Sequence, residues 1–149
     1  MDDVEFWSEV YAAAKSAGRA YLATLDNGKP RVRVVFPAFE GRKLWVATKP
    51  GSAKARQVRS HPEVELFYEV GPKRPTVHLT VTGLARFVDD RVEKSRVWEA
   101  KLFGYNLREF WPEGPESTDL GLLMITPQRI EFGRQPAMWQ GQRPAVWRA

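Results

Sequence analysis

Two runs rich in β-forming residues, 21–25 and 31–39, are separated only by Asp26-Asn27-Gly28-Lys29, and this spacing constrains the fold more than any other feature. Asn and Gly tolerate the positive backbone angles of a tight hairpin turn, so the two runs pair as antiparallel neighbours. Lys43–Thr48 follows Gly41 closely and extends the meander, which predicts that this third strand lies beside the second. Lys49-Pro50-Gly51 breaks the strand, and residues 52–60 read as a short helix with Ser52 at its N-cap and His61-Pro62 at its end. Residues 64–70 and 76–88 give two further strands around a Gly71-Pro72 turn. In the second of these Val77, Leu79 and Val81 alternate with His78, Thr80 and Thr82, and Gly83 is a candidate bulge.

Helical spacing appears over 3–17 through Val4, Trp7, Tyr11 and Ala14, stopped by Gly18, and again over 89–102 through Val92, Arg96, Val97 and Trp98. A shorter helical stretch is predicted over 107–111, and 120–125 and 129–132 are the last two strands. The strand pairs sit side by side without crossover helices, which argues against parallel βαβ winding. The prediction is a mainly β, α+β domain: a closed or nearly closed antiparallel barrel with peripheral helices, which hides its own sheet edges. A chain of 149 residues has room for one core. Residues 1–133 are assigned to that domain. The aperiodic tail 134–149, which carries Trp139 and Trp147, is expected to pack on a partner subunit or on a ligand.

Composition narrows the chemistry. There is no cysteine, which removes disulfides, thiolate metal sites and thiol nucleophiles and fits a reducing compartment. The acidic start lacks the features of a secretory signal and no apolar run is long enough for a bilayer, so a cytoplasmic location without membrane contact is expected. His61 and His78 fall on different elements with no acidic cluster at ligand spacing, which argues against a metal site, and Ser52 has no histidine partner for nucleophilic catalysis. The net charge of +5 comes mainly from scattered arginines. It leaves open a nucleic-acid surface, a phosphate site for a small cofactor, or a solvated basic exterior.

One place in the sequence favours the phosphate site. Strand alternation puts Arg31 and Arg33 on one face, with Val32, Val34 and Phe36 on the other. An arginine pair then faces the strand end at Thr48 and the helix that begins at Ser52. A phosphate there would meet a guanidinium, a hydroxyl, the Lys54 ammonium and helix N-terminal amides together.

The same residues carry a resemblance. The stretch 21–68, with R-V-V, V-A-T-K-P-G-S-A-K-A-R-Q-V and H-P-E-V-E-L, resembles the flavin-binding core of the pyridoxamine 5′-phosphate oxidase-like superfamily. The later segments W-E-A-K-L-F, E-F-W-P and L-G-L-L-M-I-T-P-Q-R-I-E-F resemble its general stress protein branch. The resemblance implies a split barrel that forms a homodimer with FMN at the interface, and a flavin-dependent oxidoreductase acting on a small-molecule substrate, with NAD(P)H as a plausible reductant. By position it implies that Arg33, Ser52 and Lys54 hold the FMN phosphate. It also implies that Val34, Val35 and Thr48 lie beside the isoalloxazine and ribityl chain, and that Trp98, Phe110 and Trp111 approach from the partner chain. No side chain is expected to act as a catalytic acid or base.

Departures from the oxidase pattern are specific. Ala53 stands where an arginine is expected before the helix lysine, Ala38 stands where a lysine is expected, and the C-terminal Arg-x-His motif is absent. Oxidation of pyridoxamine phosphate itself is therefore not expected. Two alternatives accompany this reading: a binding protein for flavin, deazaflavin or haem without turnover, and a nucleic-acid-binding barrel using Trp45, Phe67, Tyr68 and Trp111 as stacking platforms.

Overall fold

The computed structural model describes residues 1–71 and 76–149. Pro72 of the expected Gly71-Pro72 turn therefore lies outside the described residues. Helix α1 (Asp3–Ala17) starts at a capping box in which Glu5 N donates to Asp2 Oδ1 and Asp2 N donates to Glu5 Oε2, and it stops at Gly18 with φ of 73°. Its buried face is Phe6, Trp7, Val10 and Ala13, whereas Val4 and Tyr11 are exposed, so the inward stripe is rotated from the one expected. The apolar residues on both sides of Trp7 admit either stripe, and the sheet selects one.

Strands β1 (Ala20–Asp26) and β2 (Lys29–Val35) form the expected hairpin, with Asn27 and Gly28 at φ of 51° and 80°. The predicted second strand is divided: β2 ends before Phe36-Pro37, and a short β3 (Ala38–Glu40) follows. Pro37 has no N–H to give to a ladder, which accounts for the break. Strand β4 (Lys43–Thr48) pairs with β3 and with the much later β7 (Gly121–Arg134), and not with β2 as the meander predicted. Strand β5 (Glu63–Val70) joins β1 to β6 (Val77–Val88), and the order across the sheet is β2-β1-β5-β6-β7-β4-β3.

The two ends of this path, β2 and β3, are consecutive in the chain yet unpaired, so the barrel is split where they meet. The two last strands expected from sequence are one, β7, which passes through Pro127. The register shift between Thr82 and Gly83 lies opposite that proline, and a Cβ on Gly83 would meet Thr126 O at 2.5 Å. The bulge thus accommodates both the missing donor and the close backbone.

The main core, centred on Leu22, Leu66, Leu79, Val81, Leu123 and Ile125, lies between the curled sheet and α1. Helix α3 (Arg91–Glu99) covers a smaller cluster of Trp45, Val88, Val97 and Leu122. The tail contributes an unforeseen strand, β8 (Ala145–Arg148), which pairs with β7. Its Trp147 meets Trp7 edge-on at 5.1 Å, with the Arg42 guanidinium over both rings. Between these anchors Met138 covers Gly133, while Trp139 is 87 % exposed.

Candidate functional site

Helix α2 (Ala53–Ser60) aims its N-terminus at the end of β4. The Ser52 side chain caps it by accepting from Ala55 N at 3.3 Å, and Ser52 Oγ lies 2.9 Å from the buried Thr48 Oγ1. The amides of Ala53 and Lys54 have no acceptor within the helix, and the first turn holds no acidic residue. This end of the helix favours an anion.

Arg33 reaches α2 from the neighbouring hairpin. Its Nη1 donates to Thr24 Oγ1 at 2.7 Å and to Leu22 O at 3.3 Å, its Nη2 donates to Gln57 Oε1 at 2.8 Å, and the Thr24 hydroxyl donates to the same Gln57 oxygen at 2.6 Å. Thr24 and Gln57 are both buried. The sequence reading missed this pair. Thr24 follows Ala20 and Leu22 on the inward face of β1, and that alternation was the available signal. Arg31, expected to share the site, instead faces Asp26 at 3.7 Å in an exposed pair.

Burial lowers the pKa of the Arg33 guanidinium. Burial, and then the positive charge of Arg33, lower that of the Lys54 ammonium. The two cations therefore repel each other in a half-buried corner. Neither forms an ion pair with a carboxylate among the described residues. A corner of this kind attracts an anion.

Two adjoining cavities open from Lys54. One, of about 320 Å³, is lined by Val34, Val35, Phe36, Tyr105, Phe110 and Trp111 among others. The second, of about 710 Å³, includes Thr48, Ser52, Phe110, Trp111 and Asp119. Both share Ala47, Lys54, Glu109, Phe110 and Trp111, so a charged end and an apolar end belong to one groove. Trp111 is buried and its Nε1 donates to Asp119 O at 2.8 Å, whereas Phe110 is 61 % exposed. Burial raises the Tyr105 phenol to about 12, which keeps it a neutral hydroxyl.

Of the residues expected at the site, Val34, Val35, Thr48, Ser52, Lys54, Phe110 and Trp111 line this groove; Arg33 lines neither cavity and reaches the site only through its charge on Lys54. Phe110 and Trp111 do so from the same chain as Lys54. Trp98 does not join them: it lines a separate depression of about 400 Å³, under the Arg108 guanidinium. The stacking platform of the nucleic-acid alternative does not exist, because Trp45 and Tyr68 are fully buried and Phe67 is half-buried against His78.

Residues 6–133 match the family model described as pyridoxamine 5′-phosphate oxidase. General stress protein 26 of Bacillus subtilis is 26 % identical over 112 residues, 74 % of this chain and 76 % of that protein. The crystal structure of General Stress Protein 26 from Bacillus anthracis superimposes with a TM-score of 0.75 at 23 % identity, covering 97 % of this chain and 99 % of the other. A pyridoxamine 5′-phosphate oxidase-related, FMN binding protein of Nostoc punctiforme gives 0.69 at 19 % identity, over 96 % and 87 %. A heme binding protein of Mycobacterium smegmatis gives 0.72 at 16 % identity, over 94 % of this chain and 56 % of that one. At these identities the three structures establish the split-barrel fold.

Proposed function

Because this chain belongs to the pyridoxamine 5′-phosphate oxidase family, we propose that it is an FMN-binding flavoprotein in which Arg33, Ser52 and Lys54 hold the cofactor phosphate. One observation carries this reading: two cations share a half-buried corner in which neither forms an ion pair with a carboxylate among the described residues, and one of them is fixed by a buried Thr24–Gln57 network. The FMN phosphate supplies the missing negative charge, and the α2 amides and the Ser52 hydroxyl supply donors for its oxygens. Val34, Val35 and Thr48 then flank the ring and ribityl chain, with Phe110 and Trp111 forming the apolar wall. When bound, FMN supplies electron or hydride transfer, and the side chains described here bind and orient it. The activity that follows is a flavin-dependent oxidoreduction of a small molecule, in a reducing cytoplasmic compartment.

The protein acts as a homodimer in this reading. Val32 and Val34 on β2, and Phe36 just past its end, form a row that is 64 %, 45 % and 50 % exposed, beside the groove and along a strand bonded only to β1. An apolar row of this kind is suited to a second copy. The exposed Trp139, held on an anchored turn, is assigned to the same contact. Haem fits less well: among the described residues no histidine, cysteine or methionine lines the groove, and Tyr105 is the one side chain there of a type that ligates haem iron.

Titration of the apoprotein with FMN tests the proposal, with sedimentation of the same samples reading subunit association. Arg33→Glu and Lys54→Glu are each expected to weaken FMN by roughly 10²–10³-fold, about 3–4 kcal/mol, because each replaces an attraction at the phosphate by a repulsion. Lys54 stands on the first turn of α2 outside the core, so its variant reports binding even where Arg33→Glu unfolds the chain. Unchanged affinity in Lys54→Glu overturns the site.

A further inference from the structure

The groove holds a carboxylate that phosphate binding does not use. Leu107 and Trp111 are buried with Leu120, which fixes the single 3₁₀ turn Leu107–Glu109 and leaves Glu109 and Phe110 lining the groove. The cations around Glu109 have other partners. Arg108 donates to Pro112 O at 3.1 Å and lies over Trp98, and Lys49 pairs with Asp119 at 3.3 Å. Lys54 stands with Arg33, and on the proposed function both are neutralised by the FMN phosphate. Glu109 makes no ion pair with any described residue. Once the phosphate is in place, the charge left on the groove is negative, and it lies beside the exposed ring of Phe110 and the half-buried ring of Tyr105.

We infer that Glu109 selects a cationic, planar co-substrate for this groove, such as a pyridinium or an aromatic ammonium, over an anion of the same shape. The inference rests on the FMN reading. The carboxylate attracts a delocalised cation and repels an anionic ring of the same shape. With the FMN phosphate bound, no cation lining the groove among the described residues is left without a partner to meet an anionic substrate.

The test uses the protein reconstituted with FMN and three ligands sharing one ring: 1-methylnicotinamide, methylated on the ring nitrogen, as cation, nicotinamide as neutral form and nicotinate as anion. Their binding is read by perturbation of the flavin absorbance. The cation is expected to bind about tenfold more tightly than the anion, with the neutral ring between them, and Glu109→Gln is expected to bring cation and anion to within about twofold. Glu109→Gln also removes a negative charge near the phosphate, so its own FMN affinity rises slightly. Equal affinities for cation and anion, a preference that survives in Glu109→Gln, or no binding of any of the three overturns the inference while leaving the FMN site intact. Failure of the wild-type protein to take up FMN overturns the site and this inference with it, and the initial reconstitution reads that outcome separately.

Discussion

The charged corner and the aromatic wall lie on one groove but are built differently. In the corner, Arg33, Thr24 and Gln57 satisfy one another through bonds of 2.6–2.8 Å, two of the three being buried. On the wall, Phe36 and Phe110 are at least half exposed and meet Tyr105 only through ring contacts of 5.9 and 5.5 Å. The corner has its charge in place before an anion arrives, so little ordering remains to be done at binding. The wall leaves apolar faces to water that a planar ligand or a second subunit can cover. On the proposed function, a hydrogen-bonded feature would set the affinity for the phosphate, and the apolar contacts would be adjustable.

Gln57→Leu puts the sharpest strain on that contrast. It leaves the Thr24 hydroxyl without its acceptor and frees one side of the Arg33 guanidinium within the protein. A loss of about 1–3 kcal/mol in stability to urea is expected, together with roughly tenfold weaker FMN binding. If stability falls while FMN affinity stays the same, the network supports the fold and does not prepare the corner.

How much of this was legible in the sequence depends on the range of each interaction. The hairpin at Asn27-Gly28 and the capped helix at Ser52 follow from local rules, and both stand; of the arginine pair expected at the corner, only Arg33 turns toward it, while Arg31 pairs with Asp26. Which strand lies beside β4 does not follow. Residues 43–48 pair with 121–125 across a long stretch of chain, and period-two alternation specifies a strand's faces without naming its neighbour. Pro37 sits inside a run of β-forming residues, and the run's continuity conceals the break that its missing N–H makes. The converse error at Pro127 has the same root, because the bulge that admits the proline is made by Gly83 on another strand. The buried partners of Arg33 were half legible: alternation turned Thr24 inward, but nothing local indicated that Gln57 would meet it. Trp98 was placed by resemblance on a partner's side of the cofactor, and within its own chain it lines a neighbouring depression, a placement that no local pattern in the sequence specifies.

A gentler probe of the corner is pH. In the folded apoprotein the Lys54 pKa lies below its unfolded value, because burial and Arg33 both disfavour the ammonium. For a base shifted downward, the folded state binds fewer protons, so the resulting penalty on stability is fully present at low pH and disappears as pH rises past the unfolded value. A bound phosphate reverses the shift by favouring the charged amine. FMN affinity is therefore expected to fall with rising pH, starting below the range where an ordinary lysine deprotonates, by about 1.5–2 kcal/mol at the alkaline limit. Lys54→Met should bind more weakly near neutrality and lack this alkaline limb. A limb that persists in Lys54→Met assigns the titration to another group.

The wall should give the smallest effect, and of a different kind. Phe110 is 61 % exposed, so Phe110→Ala removes little that the folded chain has buried, and stability to urea should change by no more than about 0.5 kcal/mol. If a planar ring system does cover that face, the substitution removes apolar contact from the complex and should weaken FMN by about 1 kcal/mol, roughly fivefold. Gln57→Leu lowers stability and affinity together, whereas Phe110→Ala lowers affinity alone, so the two variants separate a corner organised by the fold from a wall completed by its ligand. Riboflavin, which lacks the phosphate, sharpens the distinction. Its weaker binding should still respond to Phe110→Ala and should be nearly indifferent to Lys54→Glu, because the wall touches the ring and the corner touches the ester. Were riboflavin binding to depend on Lys54 as strongly as FMN binding does, the division of the groove into a charged end and an apolar end would fail.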